Sequence, residues 1–593
     1  MKINRKKIIT DCCFFLFPFT GLFGQAQSPA VSEMQVEMQR QHAMSAYPQK
    51  QWDSLRCAWY GECADNATAV TDLIQDVCPL TKRFFGWHVI GGTGSSYVWS
   101  SLSDLSYFSY EVNYLDGNAV NNITNWGNSI AVLAAKANEV RVNLAVTFFG
   151  NIATFGSFFG NAAAQNTLIS NLINEVITAG VSGVNIDFEG AGLSSTYATA
   201  FASFLLSLTT QMHAAVPGSE VSVDIQGSHV TSTNYLTQLN ASVDLFILMG
   251  YDYYWGTQTY PGPVAPTYQF TGAVGDPNGH GNVANDLNTM LRYVPASKVL
   301  LAMPYYGRRW RASNGCVLPG IGVAASPGAQ TYTQYRDNLN GYYSMPMREA
   351  NSFTAYHCFN DVNGNFNQQF MDDAYSLQKK YNLIHQRGLA GGAVWKLGND
   401  AGYPDLWALV NNNLSTCAAM PCRDTLYDMG GPNGNYQNNQ NYTFSINPPG
   451  AAALSLRFLS FDLETNFDSL RIYDGASAAA PLLGEFTGNT LPPVLVATSG
   501  IFTLQFHSDA ATTKPGFKVI YNCSPQLVRT VASGNWNNPD IWDTGAVPLA
   551  TDTVIVMPGH QVTVTATSSV KNIEVSTTGA VILIGTAQLN ISN

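Results

Sequence analysis

Charged side chains are scarce in this chain: Asp, Glu, Lys and Arg make up 12% of its 593 residues, and acids outnumber bases by 40 to 29. No basic patch is available to neutralise phosphates, which excludes nucleic acid as a partner. Among ten Cys and nine His there is no Cys-x-x-Cys pair and no Cys/His cluster, so thiolate or imidazole metal sites are not expected. A Gly-rich phosphate loop of the dinucleotide-binding kind is also missing. Beyond residue 23 no apolar run reaches the ~18 residues a membrane-spanning helix needs.

What is present begins at the N-terminus. Lys2, Arg5, Lys6 and Lys7 precede an apolar run from Ile8 to Phe23, and Gly24-Gln25-Ala26 follows with small residues. Residues 1–26 read as a secretory signal peptide, because Asp11 and Pro18 interrupt the run and no Leu-containing lipobox precedes Cys12 or Cys13. The protein is therefore expected to be secreted or held at the cell surface. Removing these residues leaves 25 basic and 39 acidic side chains, a net charge of about −14, and eight cysteines. An even number in an oxidising compartment favours disulfides. Eight cysteines allow 105 pairings; proximity suggests Cys57 with Cys63, Cys316 with Cys358 and Cys422 with Cys523, with Cys78 and Cys417 remaining.

Residues 27–80 are rich in Gln, Met and Ala and form a leader segment without a clear strand. Over residues 81–416 short apolar runs alternate with helical stretches such as Ile130 to Val140 and Asn166 to Ala179. Eight runs qualify as strands: Arg83 to Trp87, Leu105 to Tyr110, Val142 to Thr147, Gly183 to Glu189, Val221 to Ile225, Leu245 to Met249, Val299 to Met303 and Gly391 to Trp395. Eight βα units imply a (β/α)8 TIM barrel, whose active site sits at the strands' C-terminal ends. The connection from Arg308 to Ala390 exceeds one helix and is expected to be an insertion walling the cleft. Residues 417–525 show turn-separated alternating runs, an antiparallel β-sandwich. In residues 526–593, runs such as Val554-Ile555-Val556 and Val562-Thr563-Val564 recur about every 10 residues, as rungs of a β-solenoid-like segment would.

Gly183-Val184-Asn185-Ile186-Asp187-Phe188-Glu189 carries the chemistry. Period-two alternation puts Asn185, Asp187 and Glu189 on one face. Repulsion between neighbouring carboxylates keeps one protonated near neutral pH, the state of a general acid, and Glu189 at the strand's mouth is the candidate. The stretch resembles the Asp-x-x-Asp-x-Asp-x-Glu signature of glycoside hydrolase family 18. The four positions are Ser182, Asn185, Asp187 and Glu189; the last two are intact, Asn is tolerated at the second, and Ser182 departs from the pattern. Met249-Gly250-Tyr251-Asp252-Tyr253 is similar to the family's sixth-strand Met-x-Tyr-Asp, and Trp395 to its eighth-strand tryptophan.

The resemblance implies a retaining reaction in which the substrate's own 2-acetamido oxygen attacks the anomeric carbon. Glu189 would protonate the leaving oxygen and then activate water. Asp187 would stabilise the oxazolinium, Tyr251 would fix the acetamido carbonyl, and Asp252 would order that end of the pocket. Asn185 and Met249 would line the site, and Trp395 would stack on the sugar. Trp255 and Trp310, which follow strand ends, are candidate sugar subsites; Trp87, Trp99 and Trp126 are more simply core. No cofactor is expected for catalysis.

Phe467 to Gly475, His507-Ser508-Asp509 and Gly516-Phe517 resemble a CUB domain. Its calcium-binding members imply ligands at Glu464, Asp468 and Asp509, where carboxylate oxygens suit Ca²⁺; ordinary turn acids are the alternative. The expected partner is chitin or another N-acetylglucosamine-containing polysaccharide, cut internally at β-1,4 bonds. Two enzyme alternatives stand beside it, an endo-β-N-acetylglucosaminidase acting on N-glycans and a peptidoglycan N-acetylglucosaminidase. Gly262-Pro263-Val264-Ala265-Pro266 is similar to a stretch of cell-wall-lytic members and favours the latter. A catalytically inactive chitin-binding lectin would lack the acid, which is present. Nothing in the sequence sets the oligomeric state.

Overall fold

The computed structural model describes residues 78–591 apart from 231–232, 256–259, 271–280, 314, 319, 321, 323–327, 339–345, 362, 417–422, 449 and 526. The signal peptide, most of the leader, Cys57, Cys63, Cys417 and Cys422 lie outside the described residues. Among the described residues no helix is long and apolar enough to cross a membrane.

All eight expected strands form, each within a few residues of its expected ends. They are β1 (Arg83–Val89), β2 (Asp104–Glu111), β3 (Arg141–Gly150), β4 (Gly183–Gly190), β5 (Glu220–Gln226), β6 (Leu245–Met249), β7 (Val299–Pro304) and, after an insertion, β13 (Gly391–Trp395). They close into a barrel in chain order, every pairing parallel. Its base is tied by ions from four strands. Arg83 on β1 holds Asp104 on β2 and Glu220 on β5, and Arg141 on β3 approaches both acids.

The insertion between β7 and β13 is a five-stranded antiparallel sheet of β8 (Tyr306–Arg311), β9 (Ala329–Thr331), β10 (Met347–Arg348), β11 (Ala355–Asn360) and β12 (Phe366–Met371), in the order β10-β11-β12-β8-β9. The expected Cys316–Cys358 disulfide joins the segment after β8 to β11. Cys78 and Cys523 are disulfide-bonded as well.

The next unit packs two four-stranded antiparallel sheets around its own core. One contains β14 (Arg423–Tyr427), β16 (Ala453–Asp462), β19 (Leu495–Ala497) and β21 (Gly516–Ser524). The other contains β15 (Asn441–Ile446), β17 (Ser469–Asp474), β18 (Leu482–Phe486) and β20 (Phe502–His507). It docks on the barrel helix Ala374–Gln386: Lys379 and Asn382 bind the Asp424 carboxylate at 2.7 and 2.6 Å, and the Arg387 guanidinium lies over the Tyr442 ring at 4.3 Å.

The C-terminal segment stacks parallel strands about a third core. β24 (Thr553–Val556), β25 (Gln561–Val564) and β26 (Ser568–Val570) form one coil, and β27 (Asn572–Val575), β28 (Ala580–Leu583) and β29 (Leu589–Ile591) form the next. Thr553 pairs with Asn572 and Gln561 with Ala580, an offset of 19 residues on two sides, and Ser568 pairs with Leu589, an offset of 21 on the third. The 10-residue runs read as rungs are thus single sides of a coil. Apolar spacing marks where each side turns inward, whereas the stacking period depends on which sides pair.

Candidate active site

β4 is placed by its outer face. Val184, Ile186 and Phe188 are buried against the helical layer, with Phe188 stacked on Phe201 and Phe204 at 5.5 and 6.0 Å and edge-on to Phe148 at 5.3 Å. Each such burial is worth about 1.5–3 kcal/mol, and slipping the strand by one residue would turn all three into the barrel interior. Asn185, Asp187 and Glu189 are thereby forced inward. Glycines at both ends allow the close approach of neighbours: a Cβ on Gly183 (φ 155°) would lie 1.9 Å from the Glu220 carbonyl oxygen, and one on Gly190 (φ 139°) 2.0 Å from that of Gly150.

The inner face of β5 continues the pattern. The ladder sets Asn185 opposite Ser222, and the same register brings Asp224 beside Asp187 and Gln226 beside Glu189. Asn185 makes four bonds: its Oδ1 accepts from Trp87 Nε1 (2.8 Å) and Ser106 Oγ (3.1 Å), and its Nδ2 donates to Ser222 Oγ (3.2 Å) and Asp224 Oδ1 (2.9 Å). Gln226 Nε2 donates to Glu189 Oε2. Among the described residues no N–H or hydroxyl reaches either oxygen of Asp187, although both are buried.

Burial holds the Asp187 carboxyl well above the usual carboxylate range, the charge of Asp224 adds to this, and a proton shared with Glu189 opposes it. Asp224 is likewise held high by burial and by Glu189, with the Asn185 amide opposing. The repulsion expected between Asp187 and Glu189 therefore comes from a different pair. Side chains two apart on one strand can share a proton, while the carboxyl facing Asp187 across the ladder acts on it as a like charge.

Tyr251 follows β6. Its hydroxyl is buried with no partner among the described residues, and burial together with Asp224, Asp187, Glu189 and Asp252 keeps the phenol protonated. Asp252, with φ at 58°, accepts from Tyr306 Oη at 2.7 Å and lies 3.7 Å from Arg308 Nη2, so the insertion borders the site. Met249 ends β6, buried opposite Gln226 and Ala302. Trp395 ends β13, edge-on to Trp87 at 5.8 Å and Phe108 at 5.1 Å. Trp255 is half-buried on the loop after Tyr251.

Trp310 is placed elsewhere than expected. It is on β8 of the insertion sheet rather than on a barrel strand, fully buried and edge-on to Phe370 at 6.0 Å. Trp126 is core and bonds Glu175 at 2.8 Å, and Trp87 serves the site through Asn185. Sequence reasoning from the β4 motif alone does not reach Asp224, Ser222 and Gln226, which stand on the neighbouring strand. The alternation Ser222-x-Asp224-x-Gln226 repeats that of β4 and was readable.

In the sandwich, ligand oxygens of Glu464, Asp468 and Asp509 lie within 4.8 Å of one another. Asp468 accepts from Tyr436 Oη and from the Asp509 N–H (2.9 Å), while Glu464 Oε2 is buried without a partner among the described residues. Three hard oxygen donors with one left unsatisfied fit Ca²⁺.

A closed parallel barrel with paired acids on its fourth strand and a tyrosine after its sixth defines a glycosidase scaffold. Residues 90–400, over half the chain, match the model of glycosyl hydrolases family 18, and the chain belongs to that family. Residues 422–521 match the CUB domain.

Relatives fall on both units. The cortical fragment-lytic enzyme of Bacillus anthracis is 26% identical over 329 residues, which cover 53% of this chain and 68% of that protein. The probable endochitinase of Caenorhabditis elegans is 24% identical over 281 residues, 45% of each chain. Cubilin of Sus scrofa is 32% identical over 141 residues, 22% of this chain and 4% of that protein. The chain thus spans from 4% to 68% of the length of these curated relatives. Among solved structures, the spore cortex-lytic enzyme SleL of Bacillus cereus is similar over 56% of this chain and 74% of that one, at 19% identity and a TM-score of 0.47. The barrel unit is accordingly a chitinase-like hydrolase domain related to cortex-lytic enzymes and chitinases.

Proposed function

We propose that the protein is an exported, endo-acting glycosidase that cleaves β-1,4 bonds after N-acetylglucosamine in chitin by a substrate-assisted, retaining route. The observation that carries this reading is a pair of unmet hydrogen-bonding groups in one buried site: among the described residues the Tyr251 hydroxyl has no partner and the Asp187 oxygens receive no N–H or hydroxyl, and the charge of Asp187 acts on the phenol. An acetamido group supplies both counterparts, a carbonyl oxygen for Tyr251 and an N–H for Asp187.

Glu189 gives its proton to the leaving glycosidic oxygen as the acetamido oxygen bonds to C1. Asp187 faces the positive charge of the oxazolinium that forms. Water then attacks C1, Glu189 takes its proton, and the C1 bond to the acetamido oxygen breaks. Two displacements at C1 restore the starting configuration. Asp252, held by Tyr306 and Arg308, steadies the Tyr251 loop. Met249, Trp395 and Trp255 line the sugar's path.

A second reading is favoured by the cell-wall-lytic likeness of Gly262 to Pro266 and by the cortical fragment-lytic relatives: the same cut made in peptidoglycan. Chitin oligomers and purified peptidoglycan digested in parallel, with products identified by mass spectrometry, separate the two. New N-acetylglucosamine reducing ends from chitin support the first reading, such ends from peptidoglycan alone support the second, and none from either defeats both.

Glu464, Asp468 and Asp509 are proposed to hold a structural Ca²⁺ in the CUB domain. A ligand bound only by the folded form stabilises it, by about 2.7 kcal/mol at a hundredfold excess over Kd. Calorimetry of the full chain should therefore show the transition that includes the CUB domain rising by several degrees with millimolar Ca²⁺ and falling back with chelator. An unmoved transition would leave these residues as turn acids.

A further inference from the structure

Asn185 stands where the family motif carries a carboxylate, and its surroundings show where the charge has gone. The Trp87 indole can only donate, and it donates to Asn185 Oδ1, as does Ser106. These two bonds from β1 and β2 decide which end of the amide is oxygen. The NH₂ end must therefore point at β5, where Asp224 Oδ1 accepts at 2.9 Å and Ser222 Oγ at 3.2 Å. Asp224 is itself buried, and its second oxygen has no partner among the described residues. Across the ladder from it stands Asp187.

We propose that Asp224 is a positioning residue that supplies from β5 the negative charge Asn185 does not supply from β4, and that it holds Asp187 in register for the substrate's acetamido N–H. The inference rests on the glycosidase reading given above. Three carboxyls, Asp187 and Glu189 on β4 and Asp224 on β5, share one small buried volume. Among the described residues Tyr251 and Asp252 also face them, the latter paired with Arg308. Burial and mutual repulsion hold Asp187 and Asp224 above the usual carboxylate range. Asp187 shares a proton with Glu189 along β4, and Asp224 acts on it from β5 as a like charge.

When Glu189 gives the proton it shares with Asp187 to the leaving oxygen, Asp187 is left ionised against the oxazolinium, with Asp224 beside it. When water attacks, Glu189 recovers a proton from it and shares it with Asp187 again. Across one turnover the protein neither gains nor loses a proton. An acid at position 185 would do the same work from the same strand. Here the amide and the acid have exchanged places across the β4–β5 ladder.

The exchange can be reversed. Asp224→Asn removes the charge but keeps the shape; kcat on the polymer the wild type cleaves should fall about tenfold or more. The alkaline limb of the kcat/KM profile should move down by about one pH unit, since the remaining carboxyls ionise more easily without a like charge beside them. The double variant Asn185→Asp/Asp224→Asn, which restores the acid to β4, should recover most of the rate and return the limb. A merely structural Asp224 predicts a changed melting temperature with an unmoved limb. If Asp224→Asn does not fold, Asn185→Asp decides: a second acid beside Asp224 should move the limb up.

An unmoved limb in either single variant, or a double variant no better than Asp224→Asn, overturns the proposal. Infrared difference spectra give a readout independent of turnover. The carbonyl band of buried protonated carboxyls should weaken in Asp224→Asn, and an unchanged band overturns the assignment of Asp224. A wild-type protein that cleaves no N-acetylglucosamine polymer overturns the glycosidase reading instead.

Discussion

Glu189→Gln is expected to fold and melt like the wild type while losing all but about 1% of turnover or less, because positioned proton transfer contributes about 10²–10⁴-fold to a rate. The amide keeps the shape of the carboxyl, and its oxygen can still accept from Gln226 Nε2. The position of β4 is held from its other face by Phe188 and its aromatic neighbours. What the amide cannot do is give a proton to a leaving oxygen or take one from water. Circular dichroism melts together with initial rates on oligomers check both halves. A variant keeping more than a tenth of the wild-type rate would remove Glu189 from the acid's role, and a bystander on a solvated strand face would leave both properties unchanged.

Fully deacetylated chitosan and cellulose should be inert even where they bind, and oligomers that retain the acetamido group should yield the β-anomer first. Asp187→Ala and Tyr251→Phe test the two protein groups assigned to that acetamido. Each should lower kcat by about 10²–10³-fold, the scale for one group aimed at developing charge, and should raise KM less, since both act on charge or geometry that appears at the transition state. Tyr251→Phe carries a second signature. Its hydroxyl has no partner among the described residues, and an unsatisfied buried hydroxyl costs stability, so its removal should leave melting unchanged or slightly raised while turnover collapses. Proton NMR of early products reads the stereochemistry. An initial α-anomer would mean an inverting reaction with a separate water-activating base, and the substrate-assisted route would be wrong.

The barrel was legible because each strand is a short apolar run and each connection is long enough for a helix. Glu189 and Asp187 were legible because period-two alternation and the barrel's rule for active sites lead independently to the same strand end. Trp310 was misplaced by the same rule: it follows the end of β7, but the chain there turns into an antiparallel sheet whose core absorbs the ring. Asp224 was overlooked although its alternation matches that of β4, since one strand taken alone does not reveal which residue on the next will face it.

What the sequence by itself determined is local: which residues alternate, which runs are apolar enough to be buried, where turns fall, and hence the barrel, the sandwich and the two acids of β4. What only the tertiary structure decided is pairing across elements. Hydrogen-bond direction between β1, β2, β4 and β5 orients the Asn185 amide, the ladder register sets Asp224 against Asp187, and stacking makes one coil of three shorter runs. The physical reason is that a side chain's face follows from its neighbours in sequence, whereas its charge environment follows from groups far along the chain, as Trp87 is 98 residues from Asn185 and Glu220 137 from Arg83, brought within 3 Å only when the barrel closes.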